Sequence, residues 1–523
     1  MKKKFVILTL AAVLTTTAAA GCSNGNQAAV SPSASGKAAE APKSPTKFSI
    51  SFPTTISTGY HTRVDVNKDK WTLKLEQLTN TDLDVKVLED SKMSVMFAGG
   101  DIPDVVGSVG TPTSKSMSGS VEAGVFMPLD DLLKTYAPNM MKAIPKSAWA
   151  AVSYKGKIYG LPEFLTNPSR RGTFIRMDLL EKSGLPAPQT VEDFLNVLRA
   201  FKKLGVENPY QMRDSFKYSD ILFGAYDVLP YKDQFEVVNG QVVPKFFDSE
   251  NMQKALQGYK TMLDEGLIPK DFASVSSTDY TKNINGARAG SWSGNVSGLP
   301  GYRTNVKQIV PDGKVEVITS PKGPEGKGGY LFYAPIVRAF YVNSKVKPDT
   351  AISIIKFFDW MLTPEAAEFF TFGTEGETYT VDGSGKVTYK FPTTKEGNDE
   401  EGWRSGTLWA IHDSTINKMK MELDPSGQDT VAALENVVSK EGLSGIGFYP
   451  DLAAFTKFPD LVAQGDTGPK LIIDHMIKMI YGKEPITDWP KVIEEYKQKG
   501  GSEVIKEATE RYNTKDGVIV MTK

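Results

Sequence analysis

The 523-residue chain is poor in the side chains on which covalent and metal chemistry most often depends. It contains one cysteine, Cys22, and three histidines. The rest of the chain can therefore form neither a disulfide nor a cysteine nucleophile. His61, His412 and His475 are far apart and do not have metal-ligand spacing. Beyond the first fifty residues there is also no Gly-x-Ser-x-Gly nucleophile elbow and no phosphate-binding loop.

Charge of one sign is not in excess either. Lys and Arg number 61 and Asp and Glu number 62. A chain with so little net charge and no block of like charges is not typical of nucleic-acid-binding proteins, so we expect no nucleic-acid partner.

The spacing of a calcium-binding loop occurs once, but the residue at its turn position is not the glycine that such a loop needs. Asp65, Asn67, Asp69 and Glu76 have the spacing of a calcium-binding loop, but Lys70 stands where that loop needs glycine. We therefore expect no metal and no cofactor.

The N-terminus has the layout of a secretory signal. Three lysines at positions 2–4 precede an apolar and small-residue run over 5–20, and small residues then lead to Cys22. The run is too short for a membrane span, which needs about 20 apolar residues. The end of the run resembles a bacterial lipobox, which predicts cleavage of residues 1–21 and attachment of a lipid (palmitate) to Cys22. The alternative is an ordinary signal peptide followed by an unmodified cysteine.

The segment after Cys22 is predicted to be a flexible tether. Residues 22–46 are rich in Ser, Ala, Gly, Pro and Lys and offer almost nothing apolar to bury. We therefore expect a soluble body outside the cytoplasm that is anchored to the cell membrane by lipid.

The body of about 475 residues is too long for one hydrophobic core and suggests two domains. Alternating residues predict strands over 48–52 and 83–87 and a third strand from 104, with helices between them at 71–78 and 92–97. This strand–helix alternation predicts an α/β fold with parallel pairing. Further on, Thr190 with Asp193 forms a predicted capping box, and Thr363 before Pro364 predicts another helix start.

Six segments carry a family resemblance. They are Met96-Phe-Ala-Gly-Gly-Asp101-Ile-Pro103-Asp104, Pro128-Leu-Asp-Asp-Leu-Leu133, Tyr154-Lys-Gly-Lys-Ile-Tyr159-Gly160-Leu-Pro162, Ile175-Arg176-Met-Asp178, Pro188-Gln-Thr190-Val-Glu-Asp-Phe194 and Phe372-Gly373-Thr-Glu375-Gly376-Glu-Thr-Tyr379. In this order the chain resembles the extracellular solute-binding proteins of the large carbohydrate class, the lipoprotein receptors of ABC sugar importers. Many long members carry an Asp-rich calcium loop where this chain has residues 205–210 without it, which argues against a bound calcium.

The resemblance implies a two-lobe, type II periplasmic-binding-protein-like fold with the ligand cleft between the lobes. It implies an N-terminal lobe of residues 47–172 and 335–373 and a C-terminal lobe of residues 173–334 and 374–523. The implied function is capture of an oligosaccharide by hinge closure and delivery to the transmembrane subunits of an ABC permease, by a monomer that is not an enzyme. The alternatives are a sugar-sensing ectodomain that partners a membrane kinase and a secreted carbohydrate-active enzyme.

Sugar binding needs flat aromatic faces and polar groups, and Trp292 best fits this need in the sequence. It lies among Gly and Ser neighbours, followed by Asn295, which predicts a strand end that runs into a loop. We therefore expect Trp292→Ala to weaken binding by more than about 1 kcal/mol and to leave the melting temperature nearly unchanged. The other predicted ligand contacts are Tyr60, His61, Phe164, Arg176, Glu375, Tyr379, Trp403, Arg404 and Trp409. Arginines at 170, 171, 176 and 404 leave an acidic sugar open, because arginine pairs with carboxylates.

Overall fold

The computed structural model describes residues 44–54, 59–117, 119–413 and 416–521. The predicted signal peptide, the lipidation site Cys22 and the tether up to residue 43 lie outside these residues. None of the helices in the described ranges has the length and hydropathy needed to cross a membrane.

Strands and helices alternate along the described chain. The strands are β1 (Thr46–Pro53), β2 (Thr81–Leu88), β3 (Val105–Ser108), β4 (Ser153–Tyr154), β5 (Lys157–Ile158), β6 (Gly160–Phe164), β7 (Arg171–Arg176), β8 (Asn208–Tyr210), β9 (Phe235–Val238), β10 (Gln241–Pro244), β11 (Ala289–Asn295), β12 (Val315–Ile318), β13 (Tyr330–Leu331), β14 (Ile336–Val342), β15 (Tyr379–Val381), β16 (Val387–Tyr389), β17 (Gly442–Leu443), β18 (Gly445–Phe448) and β19 (Val518–Met521). The helices are α1 (Lys70–Thr79), α2 (Met93–Gly99), α3 (Asp130–Tyr136), α4 (Pro138–Ala143), α5 (Lys146–Ala151), α6 (Met177–Ser183), α7 (Val191–Lys203), α8 (Ile221–Ala225), α9 (Ser249–Asp264), α10 (Ser277–Asn285), α11 (Leu299–Ile309), α12 (Pro348–Trp360), α13 (Pro364–Phe372), α14 (Lys395–Gly402), α15 (Lys418–Met421), α16 (Pro425–Asn436), α17 (Ala454–Lys457), α18 (Lys470–Ile480), α19 (Trp489–Tyr496) and α20 (Ser502–Thr514).

The first lobe is built on a five-stranded sheet of order β2-β1-β3-β14-β6. β1 pairs in parallel with both β2 and β3, which confirms the predicted parallel arrangement. β14 returns to this sheet after a long excursion and runs antiparallel between β3 and β6. The apolar faces of the strands and of α1 and α12 form the first core.

The second lobe contains two four-stranded sheets, of order β12-β7-β11-β8 and β10-β9-β18-β19. Its main core is formed by side chains between Ile175 and Leu331 and between Leu461 and Tyr496. The amphipathic helix α7 contributes Phe194, Leu198 and Phe201 to this core. The mixed α/β architecture agrees with the predicted two-lobe fold.

Both predicted helix caps are confirmed. The Thr190 side chain accepts from the backbone N–H of Asp193, and the Asp193 carboxylate accepts from the backbone N–H of Thr190. Thr363 accepts from the N–H of Ala366 at the start of α13. Each cap satisfies backbone donors that a helix start leaves open.

Two features of the C-terminal third depart from the predicted division into lobes. The chain ends its described part in the strand β19, whose Ile519 and Met521 pack into the first core. Trp403 and Trp409, which the predicted division assigns to the second lobe, also belong to the first core. They lie there because the π-helical turn Trp403–Leu408 continues α14 across the first lobe.

Candidate functional site

The carboxyl ends of four strands meet at one edge of the first-lobe sheet. They are those of β1, β2, β3 and β6, and β14 begins there, since Ala339 pairs with Ser108 and Ile336 with Phe164. Ligand sites of α/β proteins form at such an edge. Tyr60 and His61 follow β1 on this side.

The matching edge of the second lobe is formed by the start of β7 and the end of β11. Arg171 pairs with Asn295 in this antiparallel register, so both residues lie where the chain enters from the first lobe. β8 runs parallel to β11 and ends at the same edge. In both sheets, the edge at which we expect a ligand site therefore lies next to the segments that join the lobes.

The chain crosses between the lobes at three places that are bonded to one another. The first crossing is residues 165–170, the second is 332–335 and the third passes through Asp413. The N–H of Leu165 donates to the carbonyl of Pro335 at 3.1 Å, and the N–H of Tyr333 donates to the carbonyl of Pro168 at 3.0 Å. We refer to these three joining segments together as the hinge.

Asp413 clamps the third crossing onto the first. Its Oδ2 accepts from the backbone N–H of Thr166 at 3.0 Å and from the Thr166 hydroxyl at 2.7 Å. The same oxygen also accepts from the Arg170 guanidinium. Because Arg170 and Asp413 are both buried, their charges interact in a medium of low polarity.

Cavities follow the hinge. The largest of three, about 570 Å³, lies between Phe164 and Trp409 on one side and Leu434 on the other. A second cavity of about 170 Å³ contacts Arg170, Asn295 and Tyr333, and it shares Ile416 with the first. A third, of about 300 Å³, shares His412 and Asn417 with the first and reaches Phe391 and Lys420. Apolar walls with a few polar groups are typical of small-molecule sites.

A buried charge network supports the second-lobe edge. The fully buried Arg171 donates to Asp220 at 2.7 Å, to Asp466 at 2.5 Å and to the Tyr333 hydroxyl at 3.1 Å. The Tyr333 hydroxyl in turn donates to the Asn295 side-chain oxygen at 2.6 Å. Lys217 adds a second cation 3.2 Å from Asp466.

Burial decides the ionisation of this network. Loss of solvation raises the pKa of the Asp220 carboxyl to about 6, although Arg171 acts in the opposite direction. The pKa of Tyr333 is raised to about 12, mainly by burial. The hydrogen bond from the Arg171 guanidinium holds Tyr333 in place. Tyr333 in turn orients Asn295 at the second cavity.

Trp409 lies at the largest cavity, but most of its ring is covered. Phe370 stacks on it with ring centroids 5.2 Å apart, and His412 stacks on it at 3.7 Å. The indole N–H donates to the carbonyl of Met361, and 8% of the residue is exposed. Trp409 thus presents an edge rather than an open face to the cavity.

His412 is expected to make folding stability fall in acid. Burial lowers the pKa of its imidazole to about 3, and Arg338 acts in the same direction, whereas Trp409 and Asp413 oppose it. Between pH 6.5 and 3 the unfolded chain therefore binds a proton that the folded chain does not. This costs about 1.4 kcal/mol of stability per pH unit below pH 6.5.

Urea unfolding of the protein and of His412→Gln at pH 7 and at pH 5 measures this effect. We expect the variant to lose about 1–2 kcal/mol less than the parent on acidification. His475→Gln, which removes an imidazole that contacts Glu484 and Glu495, controls for the loss of any histidine. Parallel pH dependences of parent and His412→Gln would contradict the assignment.

Three of the predicted ligand contacts lie at the cavities. They are Phe164 and Trp409 at the first cavity and Asn295 at the second. His61 is partly exposed at the first-lobe edge, and Glu375 is exposed in the turn after α13. For these five residues ligand contact stays a prediction.

Trp292 lies on a strand, as predicted, but its ring is not exposed beside the loop that follows. The residue lies within β11, and none of its surface is exposed. Its ring stacks on Phe174 with centroids 5.7 Å apart, and Tyr302 packs edge-on at 5.3 Å. In this structure the ring has no face left for a sugar.

The remaining predicted residues are enclosed by protein partners. Arg176 makes a two-pronged ion pair with Asp178, with both contacts at 2.7 Å. Arg404 donates to the last carbonyls of α13, Phe370 and Thr371, and lies over the ring of Trp71. These bonds give both arginines structural roles, so neither is carried forward as a ligand contact.

Three buried aromatic residues complete this group. The Tyr60 ring stacks on Trp403 at 6.0 Å, and its hydroxyl donates to Asp69 at 2.8 Å. Trp403 is fully buried, and the Tyr379 hydroxyl donates to Glu368. These contacts give all three residues structural roles as well.

Sequence reasoning missed the hinge clamp and Phe391. Asp413, Tyr333 and Asp466 gain their roles only through contacts with residues far away in sequence. Phe391 follows β16, and with 45% of its surface exposed it stands beside the third cavity. The segment before Lys395 carries no motif that singles this ring out.

Comparisons with known proteins agree with this architecture. A model of the family described as bacterial extracellular solute-binding protein matches residues 68–368. The polygalacturonan/rhamnogalacturonan-binding protein YtcQ of Bacillus subtilis is 25% identical, and the match covers 97% of this chain and 97% of YtcQ. Lipoprotein LipO of Bacillus subtilis is 26% identical, over 84% of this chain and 88% of LipO.

A solved structure shows the same fold. The HMO-binding, ABC-transporter-associated solute-binding protein of Bifidobacterium longum infantis has a TM-score of 0.66 to this chain at 16% identity. The superposition covers 90% of this chain and 99% of that one.

Proposed function

Because the chain belongs to the bacterial extracellular solute-binding protein family, we propose that it captures an oligosaccharide between its lobes and delivers it to an ABC importer. The observation that carries this proposal is the run of cavities along a three-segment hinge. A ligand bound at a hinge contacts both lobes only when they close. Its free energy of binding then shifts the molecule toward the closed state, which the transmembrane subunits of the importer recognise.

The polar side chains around the hinge suit a polyhydroxylated ligand. Thr166, Asn167, Asn417 and Ser439 line the largest cavity. Amide and hydroxyl groups both donate and accept hydrogen bonds, as sugar hydroxyls do. YtcQ is described as a polygalacturonan/rhamnogalacturonan-binding protein, which supports a carbohydrate ligand and leaves its charge open.

The sugar leaves the protein unchanged in this proposal. The relatives that match over most of the chain are described as binding proteins or lipoproteins rather than as enzymes. The protein acts as a monomer, without a cofactor. Its function depends on a higher affinity for the ligand in the closed state than in the open state.

A thermal-shift screen against oligosaccharides tests the proposed function. A ligand at a hundred times its dissociation constant stabilises the folded state by about 2.7 kcal/mol. Chromatography of the recovered ligand shows whether it is still intact. Binding with intact recovery supports a receptor, breakdown would indicate an enzyme, and no shift across a broad panel would count against a sugar ligand.

Phe391 is the aromatic ring through which stacking is best tested. It is well exposed beside the third cavity, and Tyr389 packs edge-on against it at 5.0 Å. A stacked aromatic pair contributes about 0.5–1.5 kcal/mol beyond burial, so Phe391→Ala is expected to weaken binding by roughly three- to tenfold. Isothermal titration measures the affinity.

Leu73→Ala is the matched control for Phe391→Ala. Leu73 is similarly exposed, at 49%, but lies on α1. Its removal is expected to leave the affinity unchanged, and both variants should melt close to the parent. Equal affinity of Phe391→Ala and the parent would remove Phe391 from the site.

The lipid anchor is part of the same proposal. Cys22 carries the lipid, and the tether places the body at the outer face of the cell membrane. Buried acyl chains contribute about 0.8 kcal/mol per CH₂ group, so two or more chains hold a protein stably at the membrane.

Cys22→Ala is expected to lose this attachment. The variant should incorporate no labelled palmitate and should move from the membrane fraction into the medium or the detergent-free soluble fraction. Ser23→Ala is the neighbouring control and should stay with the membrane. A Cys22→Ala protein that still fractionates with membranes would show that another segment holds it there.

A further inference from the structure

The charges around the hinge are balanced within the protein itself. Lysine and arginine side chains that line the three cavities, among the described residues, are Arg170, Lys418 and Lys420. Arg170 is paired with Asp413 and Lys418 with Glu435. Lys420 is paired with Glu401, so each of these cations already has a carboxylate partner.

The second-lobe edge is balanced in the same way. Arg171 and Lys217 together face Asp220 and Asp466, two cations against two carboxylates. Arg171 is fully buried and already bonded to both carboxylates, so a ligand cannot recruit this guanidinium without breaking the network. His412 does not supply a cation at neutral pH, because burial lowers its pKa to about 3.

We infer that the ligand is an electrically neutral oligosaccharide and that the site discriminates against uronic ones, an inference that rests on the proposed function. A uronate carboxylate loses its hydration on entering the site, and the strongest compensation for that loss is a cation free to pair with it. Here it would instead compete with Asp413, Glu435 and Glu401 for cations they already hold. A neutral sugar has no such charge to compensate, and its hydroxyls can bond to the amides and hydroxyls of the cavity walls.

The test compares sugars that differ only in charge. Isothermal titration of the purified protein at pH 7 uses pairs such as galactotetraose with tetragalacturonate and mannotetraose with tetramannuronate. We expect at least one neutral member to bind about tenfold or more tightly than its uronic counterpart, about 1.4 kcal/mol. Tighter binding of the uronic member would overturn the inference and leave the proposed function standing.

A different outcome separates the two proposals. Failure of every neutral and uronic sugar to bind would count against the proposed function, and the inference would fall with it. Dependence on ionic strength adds a second readout, since a neutral ligand's affinity should change little between low and high salt.

One variant tests the physical cause directly. Glu435→Gln removes the carboxylate that pairs with Lys418, in an ion pair whose two side chains are about half exposed. The preference for the neutral sugar should shrink by roughly two- to fivefold, because a surface pair is worth up to about 1 kcal/mol.

The matched control is Glu181→Gln. It breaks the equally exposed Lys314–Glu181 pair on α6, at the opposite end of β7 from Arg171. The preference should stay unchanged in this variant. Equal shifts in both variants, or no shift in Glu435→Gln, would contradict pairing of the cavity cations as the cause.

Discussion

Arg171→Met is expected to lower the free energy of unfolding by about 3–5 kcal/mol, because it leaves two buried carboxylates without their common partner. Asp220 and Asp466 would both lose the guanidinium that now lies 2.7 and 2.5 Å from them. The Tyr333 hydroxyl would lose a donor at the same time. Urea unfolding at pH 7 measures the loss.

The pH dependence of this loss identifies its cause. Burial already raises the pKa of Asp220 to about 6, and removal of Arg171 takes away the interaction that opposes this rise. A carboxyl with a raised pKa in the folded state favours folding when it is protonated, and this contribution is lost as pH rises through that pKa. The deficit of Arg171→Met relative to the parent should therefore be larger at pH 8 than at pH 5.

Arg199→Met is the matched control for this experiment. Arg199 also bonds to two carboxylates, Glu192 and Glu265, but about a third of its side chain is exposed. A surface network of this kind contributes about 1 kcal/mol or less, so the control should unfold near the parent. Similar losses in both variants would show that burial is not what makes Arg171 important.

Trp292→Ala is expected to destabilise the protein by about 3–5 kcal/mol, the range for removal of a large buried aromatic side chain. The ring fills the space between Phe174 and Tyr302 in a small core of the second lobe. The sequence predicted the reverse, namely a loss of affinity with an unchanged melting temperature. Thermal and urea unfolding decide between the two.

Trp360→Ala is the control for Trp292→Ala. Trp360 is partly exposed on α12, and its indole N–H donates to Glu365. Its replacement should cost clearly less than that of Trp292, because less apolar surface leaves the core. A Trp292→Ala protein that melts like the parent but no longer binds sugar would restore the prediction from the sequence.

The misplacement of Trp292 has a physical reason in its neighbours. Small residues around a tryptophan are typical of a loop, but in β11 they make room for other rings. A methyl group on Gly290 would come within 2.5 Å of the Phe201 ring, and Gly294 packs against Phe174. Glycine here permits close packing of aromatic rings on a strand, and single-sequence patterns do not distinguish this use from a turn.

Local features of the fold were predictable because their causes are local. The capping box of Thr190 and Asp193 needs only four consecutive residues, and the alternation in β1 and β2 reports one buried face. The charge network of the second lobe has no such signal. Asp466 is 295 residues from Arg171 in sequence, so their pairing depends on the completed tertiary structure.

The C-terminal third shows the same limit, namely that contacts between distant residues cannot be predicted from local sequence. Residues 395–411 follow a motif near 372–379 that the resemblance places at a lobe boundary, and nothing in their pattern assigns them to either lobe. Burial of Trp403 and Leu408 in the first core assigns them to it. The exposed ring of Phe391 lies just before this segment, and no local pattern distinguishes it from the other aromatic residues of the chain.

The bonded crossings restrict how the two lobes can move. Backbone hydrogen bonds join the first and second crossings into a ribbon, and Asp413 attaches the third. A hydrogen-bonded ribbon of this kind is expected to bend more easily about one axis than to shear or stretch. We therefore expect the lobes to keep one soft rotation, so that each ligand is enclosed by the same motion and the same closed shape results.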